Sequence, residues 1–124
     1  MPYFKDLREF LADVERRGRL HTFSNPVNKE TELMPLFRVQ MRGLPEEQRK
    51  VLQFEDVKGI DGQSFPMRVA AGVYGASSDF VAWGMGCESI REAMEKWHQG
   101  IARQLNFHRE ALDQEELLHL DGGY

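Results

Sequence analysis

The chain has 124 residues, a length that fits one domain with one hydrophobic core. Hydrophobic residues make up 41% and charged residues 29% of the sequence, a composition that excludes wholesale disorder. The net charge is −4 and acidic residues interleave with the basic ones, so no cationic stripe is available for a nucleic-acid backbone.

The N-terminal segment and the cysteine content indicate the cellular compartment of the protein. Charged residues between positions 5 and 9 interrupt the apolar core that a signal peptide needs, and no apolar run approaches the ~20 residues of a membrane-spanning helix. The single cysteine, Cys87, excludes an internal disulfide and fits a reducing compartment. We therefore expect a cytoplasmic protein with no membrane partner and no nucleic-acid partner.

The first predicted helix covers residues 4–17. Its apolar side chains recur at the i, i+3, i+4 and i+7 spacing of a one-sided helix, and they are Leu7, Phe10, Leu11 and Val14. Asp6 followed three residues later by Glu9 resembles a capping box, and Gly18 supplies a stop after the last turn. This helix therefore needs an apolar surface, such as a sheet, against one face.

Two more helices are predicted, over residues 31–42 and 89–105. Their expected N-caps are Thr31 and Ser89. The apolar stripe of the first is Leu33, Leu36, Phe37 and Met41, and that of the second is Ile90, Ala93, Met94, Trp97 and Ile101. Because each stripe repeats at helical spacing, we expect both helices to cover a sheet.

Strands are predicted at residues 19–24, 51–57 and 67–74, the last mostly apolar and therefore buried on both faces. Residues 45–50 form a connector or a single helical turn, and a short helix is expected near residues 80–85. This order predicts an α/β fold, with an α+β arrangement as the alternative. The expected structure is one compact domain in which three or more helices cover a small sheet of three to five strands.

A glycine-rich loop follows the third predicted strand and precedes a helix, where backbone N–H groups can hold a phosphate. Its candidate ligand-binding residues are Gly72, Gly75, Ser77 and Ser78. The loop has neither a GxGxxG nor a Gly-Lys-Ser/Thr pattern, and Asp79 would repel an anion at the helix start. These features favour a tight turn before a capped helix over a ligand site.

No set of residues in the sequence indicates a metal site or an activated nucleophile. The four histidines lack the i, i+4 or zinc-finger spacing of paired ligands, and the acidic pairs lie in polar stretches. Cys87 precedes a helix, but no histidine is placed by the sequence to act as its base. An independent enzyme that uses Cys87 is therefore a third and weaker hypothesis.

Residues 80–86 place large apolar side chains between glycines, in a segment too short to bury all of them by itself. The segment therefore either caps the core or presents a patch to another domain or subunit, as interfaces do. The candidate interface residues are Phe80, Trp83 and Met85.

Four stretches of the sequence form a recognisable series when taken in order. They are Asp-Leu-Arg-Glu-Phe-Leu at 6–11, Glu-Arg-Arg-Gly-Arg-Leu at 15–20, Asn-Pro-Val at 25–27 and Phe-Glu-Asp-Val-Lys-Gly at 54–59. This series resembles the start of the UbiD family, which opens with a helix that ends at a glycine, a short strand and an x-Pro-Val turn, followed by a second helix that leads to a strand. The members of that family are decarboxylases (some run as carboxylases) that act on aromatic and α,β-unsaturated acids with prenylated FMN. The resemblance covers about residues 4–105.

The resemblance implies carboxy-lyase activity for the complete family architecture rather than for this stretch alone. In the family, an N-terminal α/β domain precedes a domain that binds the flavin and carries the metal ligands and a catalytic Glu-Arg-Glu set. A C-terminal domain then drives oligomerisation. None of those motifs can be placed on this sequence, so we predict no catalytic, cofactor-binding or metal-binding residue here. Prenylated FMN and a divalent metal would belong to a full-length homologue or a catalytic partner.

We accordingly divide the chain into a UbiD-like N-terminal domain, residues 1–105, and an acidic tail, residues 106–124, that is either helical or frayed. The tail departs from the Pro-rich continuation of the family, so we expect an excised piece, a truncated product or a separate small subunit. The predicted partners are further copies of the chain or a catalytic decarboxylase subunit, and the predicted role is packing and assembly. The alternative is a standalone binding or regulatory module with its ligand at residues 72–78.

Overall fold

The computed structural model describes residues 3–115, and it confirms the predicted α/β class. The helices of this part are α1 (Leu7–Arg16), α2 (Leu33–Gly43), α3 (Ser78–Gly84) and α4 (Ile90–Glu115). The strands are β1 (Leu20–Phe23), β2 (Val27–Asn28), β3 (Val51–Phe54), β4 (Val57–Lys58), β5 (Ser64–Phe65) and β6 (Val69–Ala71). A single 3-10 turn, Glu46–Gln48, occupies the connector before β3, as the sequence predicts.

The strands form two three-stranded sheets. In the first sheet the order is β1-β3-β6, with β1 parallel and β6 antiparallel to the central strand β3. In the second sheet the order is β2-β4-β5, with β2 parallel and β5 antiparallel to β4. Parallel neighbours need a long crossover connection. The connection from β1 to β3 contains α2, which packs on the sheet.

The strand predicted at residues 51–57 is divided between the two sheets. The N–H of Glu55 still bonds to the carbonyl of Phe23 at 3.0 Å, next to β1. One residue later, the carbonyl of Asp56 accepts the N–H of Val27 at 2.9 Å, next to β2. The chain therefore changes partners at this step, and one apolar run supplies both β3 and β4.

The strand predicted at residues 67–74 is shorter and less buried than expected. Only β6 is extended, it lies at the edge of the first sheet, and all of its residues are half-buried. Met67 is 72% exposed and Tyr74 is 54% exposed. The prediction of burial on both faces was wrong because β6 lies at the edge of the first sheet, where its two faces are covered only in part. The sequence also missed β2 and β5, which are strands of two residues each.

Helix α1 is shorter than the predicted range 4–17, but the predicted cap and stop residues lie at its two ends. The Asp6 carboxylate accepts the N–H of Glu9 at 2.9 Å, which satisfies a free donor of the first turn. Gly18 follows the helix with a φ of 73°, and the N–H of Arg19 bonds back to the carbonyl of Val14 at 3.0 Å. This is the long-range bond of a Schellman motif, whose left-handed residue is glycine because glycine adopts that conformation without strain.

The start of α2 differs from the prediction. Thr31 was expected as the N-cap, but α2 begins at Leu33, and Glu32 at its N-cap makes no side-chain capping bond. The side chain of Asn28 instead accepts the N–H groups of Glu30 and Thr31 at 2.9 and 3.1 Å. An asparagine turn therefore closes this corner before the helix starts.

Each face of the first sheet carries its own hydrophobic core. Side chains alternate along β3, so Val51 points to the face under α1 and α3, while Leu52 and Phe54 point to the face under α2. The first core contains Phe10, Val14, Val51, Ala76, Phe80, Ala82, Trp83, Cys87 and Ala93. The second contains Val27, Leu33, Leu52, Phe54 and Val57.

Candidate functional site

Residues 80–86, the candidate interface segment, lie in the first core. Phe80 is 0% exposed and Trp83 is 7% exposed, and their ring centroids are 5.5 Å apart. Met85 is half-buried and packs against the same cluster. In the structure this segment caps the core, and Phe80 and Trp83 have almost no surface to offer to a partner.

Arg17, in the turn after α1, lies over Trp83. Its guanidinium carbon is 4.4 Å from the centroid of the indole ring, a cation–π distance. The same group binds Asp13 at 2.9 Å and Glu88 at 3.0 Å. The hydrogen bond between Arg17 and Glu88 raises the pKa of the arginine and lowers the pKa of the carboxylate. Arg17 thereby ties the end of α1 to the turn between α3 and α4.

Arg19 makes the corresponding contact with Phe80. Its guanidinium carbon lies 4.8 Å from the centroid of the phenyl ring, and its side chain is 14% exposed. It also binds Asp79 at 3.1 Å and donates from Nε to the carbonyl of Arg49 at 2.7 Å. In the sequence, the Arg-Gly-Arg stretch at residues 17–19 contributed only to a resemblance. In the structure it fastens α3 to the sheet, and two arginines beside a helix-ending glycine were the available clue.

The loop at residues 72–78 uses its hydrogen-bonding groups within the domain. The Ser77 hydroxyl accepts the N–H of Asp79 at 3.2 Å, and the N–H of Ser78 donates to the carboxylate of Glu46 in the 3-10 turn. The Asp79 carboxylate is held by Arg19. A carboxylate of the chain itself therefore occupies the position that the sequence offered to a ligand phosphate, and sequence reasoning did not anticipate Glu46 there.

The two candidate glycines of this loop have different surroundings. Gly72 has a φ of 77°, and a Cβ placed on it would lie 2.5 Å from Cε2 of Phe37. A Cβ on Gly75 would have no atom within 4 Å. Gly72 is therefore required by its backbone conformation and by the packing of Phe37, a requirement that Gly75 does not share.

Acid is expected to destabilise the domain through Glu46 and Glu88. The hydroxyl and N–H of Ser78 lower the pKa of Glu46, and Arg17 lowers that of Glu88, both from an ordinary value of 4.5. A carboxylate whose pKa is lower in the folded state stabilises the fold above its unfolded pKa, and that contribution disappears as the pH falls through the folded pKa. When the pH is lowered from roughly 6 to 3, we therefore expect the Tm of a Glu46→Gln, Glu88→Gln double variant to fall by less than the Tm of the parent. Equal losses in thermal unfolding followed by circular dichroism would contradict this assignment.

Cys87 and the other ligand-type residues form no reactive centre in the part of the chain that the structure covers. Cys87 is 2% exposed, and its sulfur lies 3.7 Å from the carbonyl oxygen of Met85. Among residues 3–115, no three His, Cys, Asp or Glu side chains come together to hold a metal. A buried thiol is closed to a substrate, so the hypothesis of an independent enzyme gains no support from this geometry.

Helix α4 exposes the apolar residues that were expected to cover the sheet. Ala93 is buried at 2% exposure, but every residue from 94 to 111 is exposed. The four large side chains of this face, here called the α4 stripe, are Met94 (59% exposed), Trp97 (64%), Ile101 (45%) and Leu105 (65%). The prediction was wrong after the first turn because α4 continues beyond the elements that could cover it.

The N-terminal end of α4 is fixed to the domain. The Ser89 hydroxyl accepts the N–H of Glu92 at 3.2 Å, the predicted cap. The Lys96 ammonium donates to the carbonyl of Met85 at 3.0 Å, and its hydrogen bond with Tyr3 raises the pKa of Lys96. The helix then continues to Glu115, through the domain boundary expected at residues 105 and 106. The rest of the expected tail, residues 116–124, lies outside the described residues.

Within residues 3–115, no helix combines the length and the apolar content needed to cross a bilayer.

A protein-family model matches most of the described part of the chain. No solved structure matches the chain. The family model described as the 3-octaprenyl-4-hydroxybenzoate carboxy-lyase N-terminal domain, UbiD_N, matches residues 11–97, from within α1 to Trp97 of α4. Since this match covers more than half of its 124 residues, the chain belongs to the family of UbiD N-terminal domains.

Proposed function

We propose that the chain is the non-catalytic N-terminal domain or small subunit of a UbiD-type decarboxylase, with a role in packing and assembly. Membership of a family described by its carboxy-lyase supports the link to decarboxylation. The observation that carries the assembly role is the α4 stripe, which the domain leaves uncovered.

The spacing of the α4 stripe suits a helix that docks against another surface. Its residues follow one another at i, i+3, i+7 and i+11, so they share one face of the helix. An indole that is 64% exposed, as at Trp97, leaves on the order of 100 Å² uncovered by itself. Contiguous apolar patches of several such side chains are uncommon on monomers and mark interaction sites.

The proposal assigns the chemistry to another chain or domain. Prenylated FMN, the divalent metal and the Glu-Arg-Glu set would be held by the flavin-binding part, against which the α4 stripe packs. The substrate would be an aromatic or α,β-unsaturated carboxylic acid. A free, buried Cys87 is consistent with assembly in the cytoplasm. A second copy of the chain is the competing partner for the same stripe.

Co-expression with a defined partner tests the proposal. The partner is the flavin-binding chain of a UbiD-type decarboxylase from which its own N-terminal domain has been deleted. We expect the native chain to co-elute with it in size-exclusion chromatography with light scattering, in a fixed molar ratio and with the flavin absorbance. Trp97→Glu should abolish co-elution because a carboxylate replaces an apolar contact. Gln99→Glu, which adds the same charge on the opposite side of α4, should leave it intact.

The outcomes separate the two kinds of partner. Co-elution that survives Trp97→Glu would show that the stripe is not the docking face. A colourless homo-oligomer that captures no flavin chain and dissociates on Trp97→Glu would replace the decarboxylase partner by a second copy. A monomer with no affinity for the flavin chain would contradict the assembly role altogether.

A further inference from the structure

A groove beside α1 includes none of the candidate site residues described above. It has a volume of about 630 Å³, within the range of small-molecule sites. Its floor is formed by the first sheet, through Leu20, Gln53 and Ala70, and its walls by one side of α1 and by residues 66–69. The rim is apolar and uncovered, since Leu7 is 50% exposed and Met67 is 72% exposed.

Gln53 is the polar exception in the central strand. The other three residues of β3 are at most 5% exposed, whereas Gln53 is half-buried and lines the groove. The register aligns it with Thr22 on β1 and Ala70 on β6, on the face that α1 covers only in part. None of the side-chain hydrogen bonds within residues 3–115 involves the Gln53 amide. Since no enclosed polar side-chain atom there lacks a partner, this amide is open to solvent. The amide of Gln53 is therefore available to a molecule in the groove.

Two arginines stand on opposite walls at one end of this groove. Arg8 lies in the first turn of α1, and because the chain reverses at Gly18, that turn is directed toward the carboxyl end of β1. Arg68 precedes Ala70 by two residues, and the antiparallel register of β6 places it at the same end. Within the described part of the chain, neither arginine forms an ion pair.

The charge of the groove is polarised along its length. Glu15 is its one acidic lining residue, and it lies two helical turns from Arg8, roughly 10 Å along α1. The arginine end is therefore the end at which an anion is attracted. Paired guanidinium groups bind carboxylates through planar, charge-assisted hydrogen bonds.

We propose that this groove binds an aliphatic carboxylate. The carboxylate lies between Arg8 and Arg68, within reach of the Gln53 amide, and the hydrocarbon chain lies against Leu11 and Met67. An aliphatic body is favoured because the lining residues include no aromatic ring that could stack on a flat ligand. This site is independent of the α4 stripe and of the proposed function, and either can fail without the other.

Titration of the isotope-labelled chain with octanoate, followed by amide NMR, tests the site. We expect saturable shifts at Gln53, including its side-chain amide, and at Ala70. Arg8→Gln and Arg68→Gln should each raise the dissociation constant by roughly tenfold or more, because each removes a charge-assisted hydrogen bond to the carboxylate. Arg38→Gln removes an exposed arginine from α2, on the other side of the sheet, and should change nothing.

The controls decide between the site and its alternatives. Equal shifts with octan-1-ol would show a purely apolar groove and overturn the proposal. Equal shifts with inorganic phosphate would show an anion site to which the hydrocarbon chain contributes no binding, and would also overturn the proposal. Shifts confined to the α4 stripe, or octanoate affinity unchanged in both arginine variants, would place the ligand elsewhere.

Discussion

Replacing Trp83 by glutamate is expected to unfold the domain. The indole is 7% exposed and packs beside Phe80 in the first core. Truncation of a buried aromatic costs about 3–5 kcal/mol, and burial of a new carboxylate costs more. Arg17 is already bound by Asp13 and Glu88, so a third carboxylate beside it recovers little. Since domains are stable by only about 5–15 kcal/mol, little or no stability should remain.

The same substitution at Trp97 is the matched control. Its indole is 64% exposed, so glutamate there removes little packing and should shift the urea midpoint only slightly. Urea unfolding of both variants, followed by circular dichroism, gives the comparison. A native-like midpoint for Trp83→Glu, or equal destabilisation of the two variants, would contradict the assignment of one tryptophan to the core and the other to the surface.

The two tryptophans show what periodicity can and cannot predict. Each lies in a helix with apolar neighbours at helical spacing, which indicates an apolar face but not what covers it. Trp83 is covered by Arg17, which comes from the opposite half of the chain, and by the first core, to which that half contributes Phe10 and Val14. Within residues 3–115, no comparable element reaches Trp97. The sequence therefore predicted both helices, left Trp83 open between the core and an interface, and wrongly expected Trp97 to be covered.

Most features that depend on one turn of chain were predicted correctly, although the N-cap of α2, expected at Thr31, was not. Asp6 caps α1, Gly18 ends it and Ser89 caps α4, because each bond joins residues within a few positions of one another. Strand limits were predicted less well. The change of partner at Glu55 depends on Phe23 and Val27, which the chain brings alongside only after α2 has folded back.

The same distinction applies to the candidate sites. A turn and a capped helix at residues 72–78 follow from local glycine and serine content, and both are present. The Glu46 carboxylate at Ser78, and the arginines across the groove from each other, depend on which elements become neighbours. Function in this chain therefore has to be argued from surfaces that the fold assembles, since no single motif carries it.

Replacing Gly72 by alanine is the second change with a large expected effect. The residue has a φ of 77°, a conformation that costs a side-chain-bearing residue about 1–2 kcal/mol. The new Cβ would also lie 2.5 Å from the Phe37 ring, and overpacking of this kind costs about 1–3 kcal/mol. Phe37 packs against both cores, so its displacement disturbs both faces of the sheet. We expect a loss of about 2–4 kcal/mol in the free energy of unfolding, measured in urea.

Alanine at Gly75 is the control, and the pair separates a structural loop from a ligand loop. Its Cβ would meet no atom within 4 Å, and its φ is not positive, so stability should be unchanged or slightly higher. A loop whose glycines serve to bring the backbone close to a ligand would tolerate alanine in the free protein at both positions. Strong destabilisation at Gly72 alone would mean that its glycine is required by the fold, through its backbone conformation and the packing of Phe37. Equal tolerance at both positions would show that the backbone strain and the Phe37 contact are misplaced, and would return the loop to consideration as a binding site.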